Sequence, residues 1–166
     1  MAAMKGLEPS LLDKLFDENP RRGMSPEPLR AMSVEQYKET VARDLEGLLN
    51  SRSPLSESEL KDFPECRKSV MNYGLVDFSS MSLANAYDRA AICMSLEDSI
   101  SRHERRLKNV KVHLDEHSAL GAGLHFTIHA ILDIYPAHEA VSFDAVLQPT
   151  TFQYSVSKLA RSKVDA

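Results

Sequence analysis

Cysteine is scarce in this chain: Cys66 and Cys93 are the two in 166 residues. They lie far apart, without metal-ligand spacing, and two thiols make no disulfide framework, so both read as ordinary reduced, half-buried residues. Long apolar runs are missing too. The longest, Ala90 to Met94, is far short of the ~20 residues that span a bilayer. Glu8 and Asp13 stand where a secretory signal would be apolar, so a cytosolic protein without a membrane segment is expected. Positive charge is not in excess, with 20 Lys+Arg against 24 Asp+Glu for a net charge of -4. That balance provides no global cationic field for phosphate backbones or anionic lipid, and general nucleic-acid binding is disfavoured. The chain has no internal repeat and no low-complexity segment.

The usual signatures of catalysis and of metal or cofactor binding are absent as well. There is no HExxH, CxxC or His-x-His, no G-x-S-x-G elbow, no Walker loop and no G-x-G-x-x-G turn. Gly121 and Gly123 flank Ala122 in a strand-to-strand loop, where they suit a turn better than a phosphate cradle. All six histidines fall in the second half of the chain, among them His113, His117, His125 and His129. Residues four apart on a strand are about 13 Å apart along the backbone, so His125 and His129 cannot chelate one ion together. A glycosidase needs two carboxyls at a defined separation, one with a raised pKa. Glu104, Asp115, Glu116 and Asp144 are candidates, but no spacing selects a pair. No catalytic residue, metal or cofactor is therefore expected.

What is present is a change of period along the chain. Residues 1–30 hold a short apolar-periodic piece, Leu11 to Phe16, followed by Pro20, Pro26 and Pro28, which cannot continue a helix. Ser33 with Gln36 forms a capping-box signature, and Val34, Tyr37, Val41, Leu45 and Leu48 follow at helical steps, which predicts a helix over about 34–49. Residues 52–63 are polar and marked by proline. Pro64 fits the start of a short helix closed by Gly74, and a second long helix is expected from near Ser82 to about His103. After Leu107 the period becomes two. Strands are predicted around 110–114, 124–134, 141–147 and 152–156, the last with Phe152, Tyr154 and Val156 facing inward. Helices first and strands last imply an α+β fold, its helices packed on one face of a small, mostly antiparallel sheet.

Two places stand out as possible contact surfaces. Arg102, Arg105, Arg106, Lys108 and Lys111 face the single acid Glu104, in the one net-positive third of the chain. Such a cluster is either an interaction surface or a solvated helix end complementing the helix dipole. Residues 151–157 carry no charge before Lys158, and an edge strand without charge or proline invites another chain.

Four strings then carry a resemblance. Residues 41–52 read VARDLEGLLNSR, 63–77 read FPECRKSVMNYGLVD, 103–107 read HERRL and 141–147 read VSFDAVL. In this order they resemble the TssE family, baseplate subunits of type VI secretion related to the "lysozyme-like" wedge protein of contractile phages, over about residues 9–157. The resemblance implies a non-catalytic assembly subunit in a cytoplasmic baseplate docked at the inner membrane. Its implied partners are the wedge proteins TssF and TssG, contractile sheath subunits and other baseplate components, with no nucleic acid and no membrane bound directly. It implies a docking segment and flexible lead-in over 1–32, a wedge domain over 33–157 and a tail over 158–166. The family's Glu-Pro-Arg triplet, implicated in holding wedge partners, corresponds to Glu104, Arg105 and Arg106, with arginine replacing proline and His103 replacing the preceding aromatic. Losing proline restores an N–H, so the helix is expected to run slightly further. Partner-binding residues are therefore expected at His103, Glu104, Arg105 and Arg106, and, for a sheath strand added to an open edge, at Gln153 and Ser155. Reversing the charge of Glu104 or Arg106 should then hardly change folding. The alternative is a peptidoglycan-degrading enzyme, as the old family label suggests.

Overall fold

Ser33 opens the first helix as its sequence signature predicts: Ser33 N–H donates to Gln36 Oε1 at 2.9 Å, and Gln36 N–H returns to Ser33 Oγ at 3.2 Å. The computed structural model describes residues 7, 32–78, 80–82, 85–115, 123–134, 137–148 and 150–159. Two units are distinguished, residues 1–41 and 42–166. In the first, Leu7 and Met32 form an isolated antiparallel bridge just before helix α1, Val34–Asn50. The apolar piece at Leu11 to Phe16 and the docking segment expected over 1–32 lie otherwise outside the described residues.

The second unit begins within α1, whose Ala42, Leu45, Leu48 and Leu49 are buried. A single helical turn, α2, Glu57–Leu60, follows. It was not predicted in the polar 52–63 stretch, although Ser56 and Glu59 form a full capping box there. The short helix expected to begin at Pro64 is instead two 3₁₀ turns, Cys66–Lys68 and Val70–Asn72. The chain turns sharply at Gly74, whose φ is +118°, and a Cβ there would lie 2.6 Å from the Ser51 carbonyl. This approach lets Leu75 lie beside the end of α1. Leu75 N–H donates to Ser51 O and Ser53 N–H to Leu75 O, each at 2.9 Å.

Helix α3, Ala86–His103, follows its Asn85 cap and starts four residues later than the expected Ser82. It buries Ile92, Leu96, Ser99 and Ile100. It stops at His103, where the Glu104 N–H still donates to Ile100 O.

Four strands follow: β1, Leu107–Leu114; β2, Leu124–Ile134; β3, Ala137–Gln148; and β4, Gln153–Lys158. They pair antiparallel in the order β1-β2-β3-β4. The fold is α+β, with helices first and an antiparallel sheet last, as the period change predicts. Strand β1 begins earlier than the alternation shows, because the ladder shifts register between Lys108 and Lys111 and Asn109 takes φ +52°. A bulge of this kind breaks the period-two pattern on which the sequence reading depends.

Phe126, Ile128, Leu132, Phe143, Ala145 and Tyr154 fill the buried face. Phe152 does not join them. It lies in the turn before β4 with φ +53° and is 65% exposed, so the inward position expected for it is corrected. The preceding turn closes with Phe152 N–H on Gln148 O, which removes Phe152 from the strand's alternation.

Candidate functional site

The charged cluster after α3 is a packed network. Arg106 donates from its backbone N–H and its Nε to Glu104 Oε1, at 3.1 and 2.7 Å, and from one terminal nitrogen to Glu104 Oε2. The same terminal nitrogen reaches Asp44 Oδ2 of α1 at 2.7 Å. Glu104 is 8% exposed. Burial alone would lower the Arg106 pKa, but the hydrogen bonds and charges of Glu104 and Asp44 outweigh it and raise it. The guanidinium therefore stays charged and ties the α3–β1 corner to α1.

This geometry corrects one expectation. Glu104 and Arg106 are not a solvated helix end but a bonded, partly buried pair, so reversal of either charge should cost folding stability, against the expectation that it would hardly change. Removing Arg106 leaves the buried Glu104 carboxylate without its cation, whereas removing Glu104 leaves Arg106 still paired with Asp44. Asp44, the acid completing the network, was not singled out from the sequence. Its signal was its place within the residues 41–52 string, without any local spacing to Arg106.

His103 and Arg105 flank the network differently. The His103 Nε2 lies 3.0 Å from Asn72 O, and its ring meets Tyr73 edge-on at 5.3 Å between centroids. Histidine thus occupies an aromatic's position and adds a hydrogen bond. Burial lowers its pKa, only partly opposed by the Asn72 carbonyl. Tyr73 is shifted up, first by burial and then by the charges of Asp44 and Glu104. Asn72 is buried and engaged throughout: Ser53 Oγ donates to its Oδ1 at 2.6 Å, and its Nδ2 donates to Arg67 O at 3.1 Å. Arg105, by contrast, is exposed.

Gln153 and Ser155 sit on β4, on a different element from this corner, with exposed side chains. The edge beside them is already used. Asn50 Nδ2 donates to Tyr154 O at 2.8 Å, Tyr154 N–H donates to Asn50 Oδ1 at 2.7 Å, and Val156 N–H donates to Glu46 Oε2 at 2.8 Å. In an antiparallel ladder alternate residues face outward, so the N–H groups of Gln153 and Ser155 turn toward β3. The open edge expected at β4 is thus closed at Tyr154 and Val156, and Gln153 is not an edge donor. The opposite edge is treated alike: Val112 N–H of β1 donates to Glu97 Oε1 of α3 at 2.9 Å.

Among the described residues no three His, Cys, Asp or Glu side chains are grouped to hold a metal ion. His113 and His129 lie side by side with ring centroids 5.8 Å apart and planes tilted by 54°, with His129 Nδ1 2.8 Å from Ser142 Oγ, on the sheet face away from the core. Among the described residues no helix is long and apolar enough to cross a membrane.

The polar residues of the first two resembling strings, Asp44, Glu46, Asn50 and Asn72, are thus the ones that clamp helices, turns and sheet edge together. No curated protein matches the chain. A family model described as baseplate wedge protein gp25 matches residues 35–137, the stretch from the first turn of α1 to the start of β3. With more than half of its length matched, the chain belongs to the gp25 baseplate wedge protein family.

Proposed function

We propose that this chain is a non-catalytic structural subunit of a type VI secretion baseplate, a TssE protein that binds the wedge proteins TssF and TssG and supports assembly of the contractile sheath. The observation carrying this reading is the family match over residues 35–137, together with the TssE strings that extend beyond it to residue 147. In this reading the protein works in the cytoplasm, in a baseplate docked at the inner membrane.

The hallmark triplet then divides its work. Glu104 and Arg106 are spent on Asp44 and on each other, which fixes the corner between α3 and β1. Arg105 projects outward from that rigid corner and provides the charge that a wedge partner meets, with His103 bracing the base of the turn. Gln153 and Ser155 offer side chains on β4 to a further partner, the first sheath subunits. Contact there runs through side chains, because Asn50 and Glu46 hold the backbone edge.

The muramidase alternative is disfavoured by the Glu104 carboxylate, both of whose oxygens accept from Arg106. Co-expression with TssF and TssG followed by size exclusion tests the proposal. Co-elution of all three chains is expected, and elution of this chain alone would overturn it. Clearing of a peptidoglycan suspension that a single-carboxylate substitution abolishes would restore the enzyme reading.

A further inference from the structure

His113, His125 and His129 share the sheet face away from the core, and the strand register decides which of them meet. Val112 and Ile128 are buried, so the next residues along each strand, His113 and His129, lie on the opposite face, and both are exposed. His113 stands opposite Thr127, and Lys111 opposite His129, which makes His113 and His129 diagonal neighbours across β1 and β2. Diagonal residues lie about 7–8 Å apart, within reach of ring side chains. The two ring centroids are 5.8 Å apart. His125, on the other diagonal from His113, has its Nδ1 3.6 Å from Asp144 Oδ2 instead.

The separation of this pair is close to the one a shared metal ion imposes. Two imidazoles on one ion, with metal–nitrogen bonds of about 2.0–2.1 Å at a tetrahedral angle, have centroids roughly 5 Å apart. Exposed side chains rotate readily enough to take up the difference. The hydrogen bonding suits the same task. His129 Nδ1 lies 2.8 Å from Ser142 Oγ; with its N–H donated there, Nε2 carries the free lone pair and the ring is held in place, as outer hydrogen-bond partners hold metal-binding histidines. The His113 ring has no hydrogen-bond partner among the described residues, so a nitrogen of it is available. Lys111, the cation opposite His129, is bonded to Glu97 Oε2 at 3.2 Å.

Ligand chemistry selects the ion. Neutral imidazole suits Zn²⁺, Ni²⁺ and Cu²⁺, whereas Mg²⁺ and Ca²⁺ take oxygen ligands. Zinc centres that are purely structural are closed by four protein ligands, so a pair of histidines makes an open site that leaves coordination positions to solvent. We propose that His113 and His129 form a two-histidine binding site for a divalent transition-metal ion of the zinc class, with Ser142 orienting one ligand and water filling the remaining positions in the isolated chain. Nothing in this site depends on the assembly reading, since neither histidine belongs to the strings or the network that carry it.

The test titrates the full, untagged chain with Zn²⁺ at about pH 7.5, where ordinary imidazole is neutral, and follows the histidine ring protons by NMR. Saturable shifts at His113 and His129 are expected, and Mg²⁺ at about tenfold higher concentration should move neither ring. His113→Asn and His129→Asn should each weaken the Zn²⁺ response about tenfold or more, because a single imidazole remains. Both positions are exposed, so Tm should hold, and either variant decides the matter if the other fails to fold. His125→Asn and His138→Asn should bind as the parent does, and so should a Cys66→Ser, Cys93→Ser double variant, which separates the site from the two thiols. Absence of saturable shifts at the two rings, equal shifts with Mg²⁺, full binding by either folded asparagine variant at 113 or 129, or loss of binding in the folded cysteine variant would each overturn the proposal.

Discussion

Asn50 closes both backbone groups of Tyr154 at once, donating to its carbonyl at 2.8 Å and accepting from its N–H at 2.7 Å. One side-chain amide at the end of α1 thus imitates the next strand of the sheet. Replacing it by alanine orphans a donor and an acceptor whose loss costs roughly 1–3 kcal/mol each. Asn50→Ala should lower stability by about 2 kcal/mol or more in urea denaturation. It should also bare part of an edge that pairs with other chains, so concentration-dependent self-association is expected by sedimentation velocity. Unchanged stability would mean that the clamp contributes nothing net.

A second prediction separates the members of the charged triplet. Breaking a buried ion pair by removing one partner costs roughly 3–5 kcal/mol, because the remaining charge is left uncompensated. Partial exposure of Arg106 places Arg106→Met at or below the low end of that range, and Glu104→Gln, which leaves Arg106 paired with Asp44, lower still. Arg105→Glu should change stability by less than about 0.5 kcal/mol, as a surface substitution does, while weakening association with the wedge proteins. Thermal melts of the three variants check the first half and co-purification the second. Equal losses of stability in all three would remove the distinction.

Gly74 gives a third. Its φ of +118° and the 2.6 Å approach a Cβ would make to the Ser51 backbone leave no unstrained alternative to glycine. Gly74→Ala should destabilise by more than about 1 kcal/mol. Loss of protection in hydrogen exchange should centre on Ser53 and Leu75, whose N–H groups bridge the two segments. A variant as stable as the parent would show that the turn relaxes freely.

The fourth concerns pH. His103 has a folded-state pKa lowered below its usual value of 6.5, chiefly by burial. The unfolded chain then binds more protons than the folded one just below pH 6.5, so stability from this residue is full above 6.5 and falls as pH drops toward the folded value. Arg102 adds to the lowering, and Asp98 and the Asn72 carbonyl oppose it. His103→Phe, which keeps the ring against Tyr73, should flatten the slope of stability against pH below 6.5. A slope as steep as that of the parent would assign it to other groups.

Much of this fold was legible because its signals are local. The capping box at Ser33 and Gln36 and the alternation from Leu124 to Ile134 each depend on near neighbours, and both elements formed where expected. The Glu104 network was not legible as structure, since Asp44 and Arg106 meet across 62 positions and nothing local announces the pairing. The cover over β4 was hidden for the same reason. Asn50 and Glu46 reach Tyr154 and Val156 from more than 100 residues away, so the uncharged run at 151–157 appeared open. Where local geometry was unusual, at Asn109 and Phe152, the period-two pattern misled by a few residues.

The central claim, that this chain is a working part of a type VI baseplate, is tested most directly by imaging a fluorescent sheath subunit in cells from which this chain has been deleted. Elongating sheaths should disappear on deletion, return with the wild-type chain, and return only weakly with Arg105→Glu. Sheaths assembling at normal frequency in the deleted cells would contradict it.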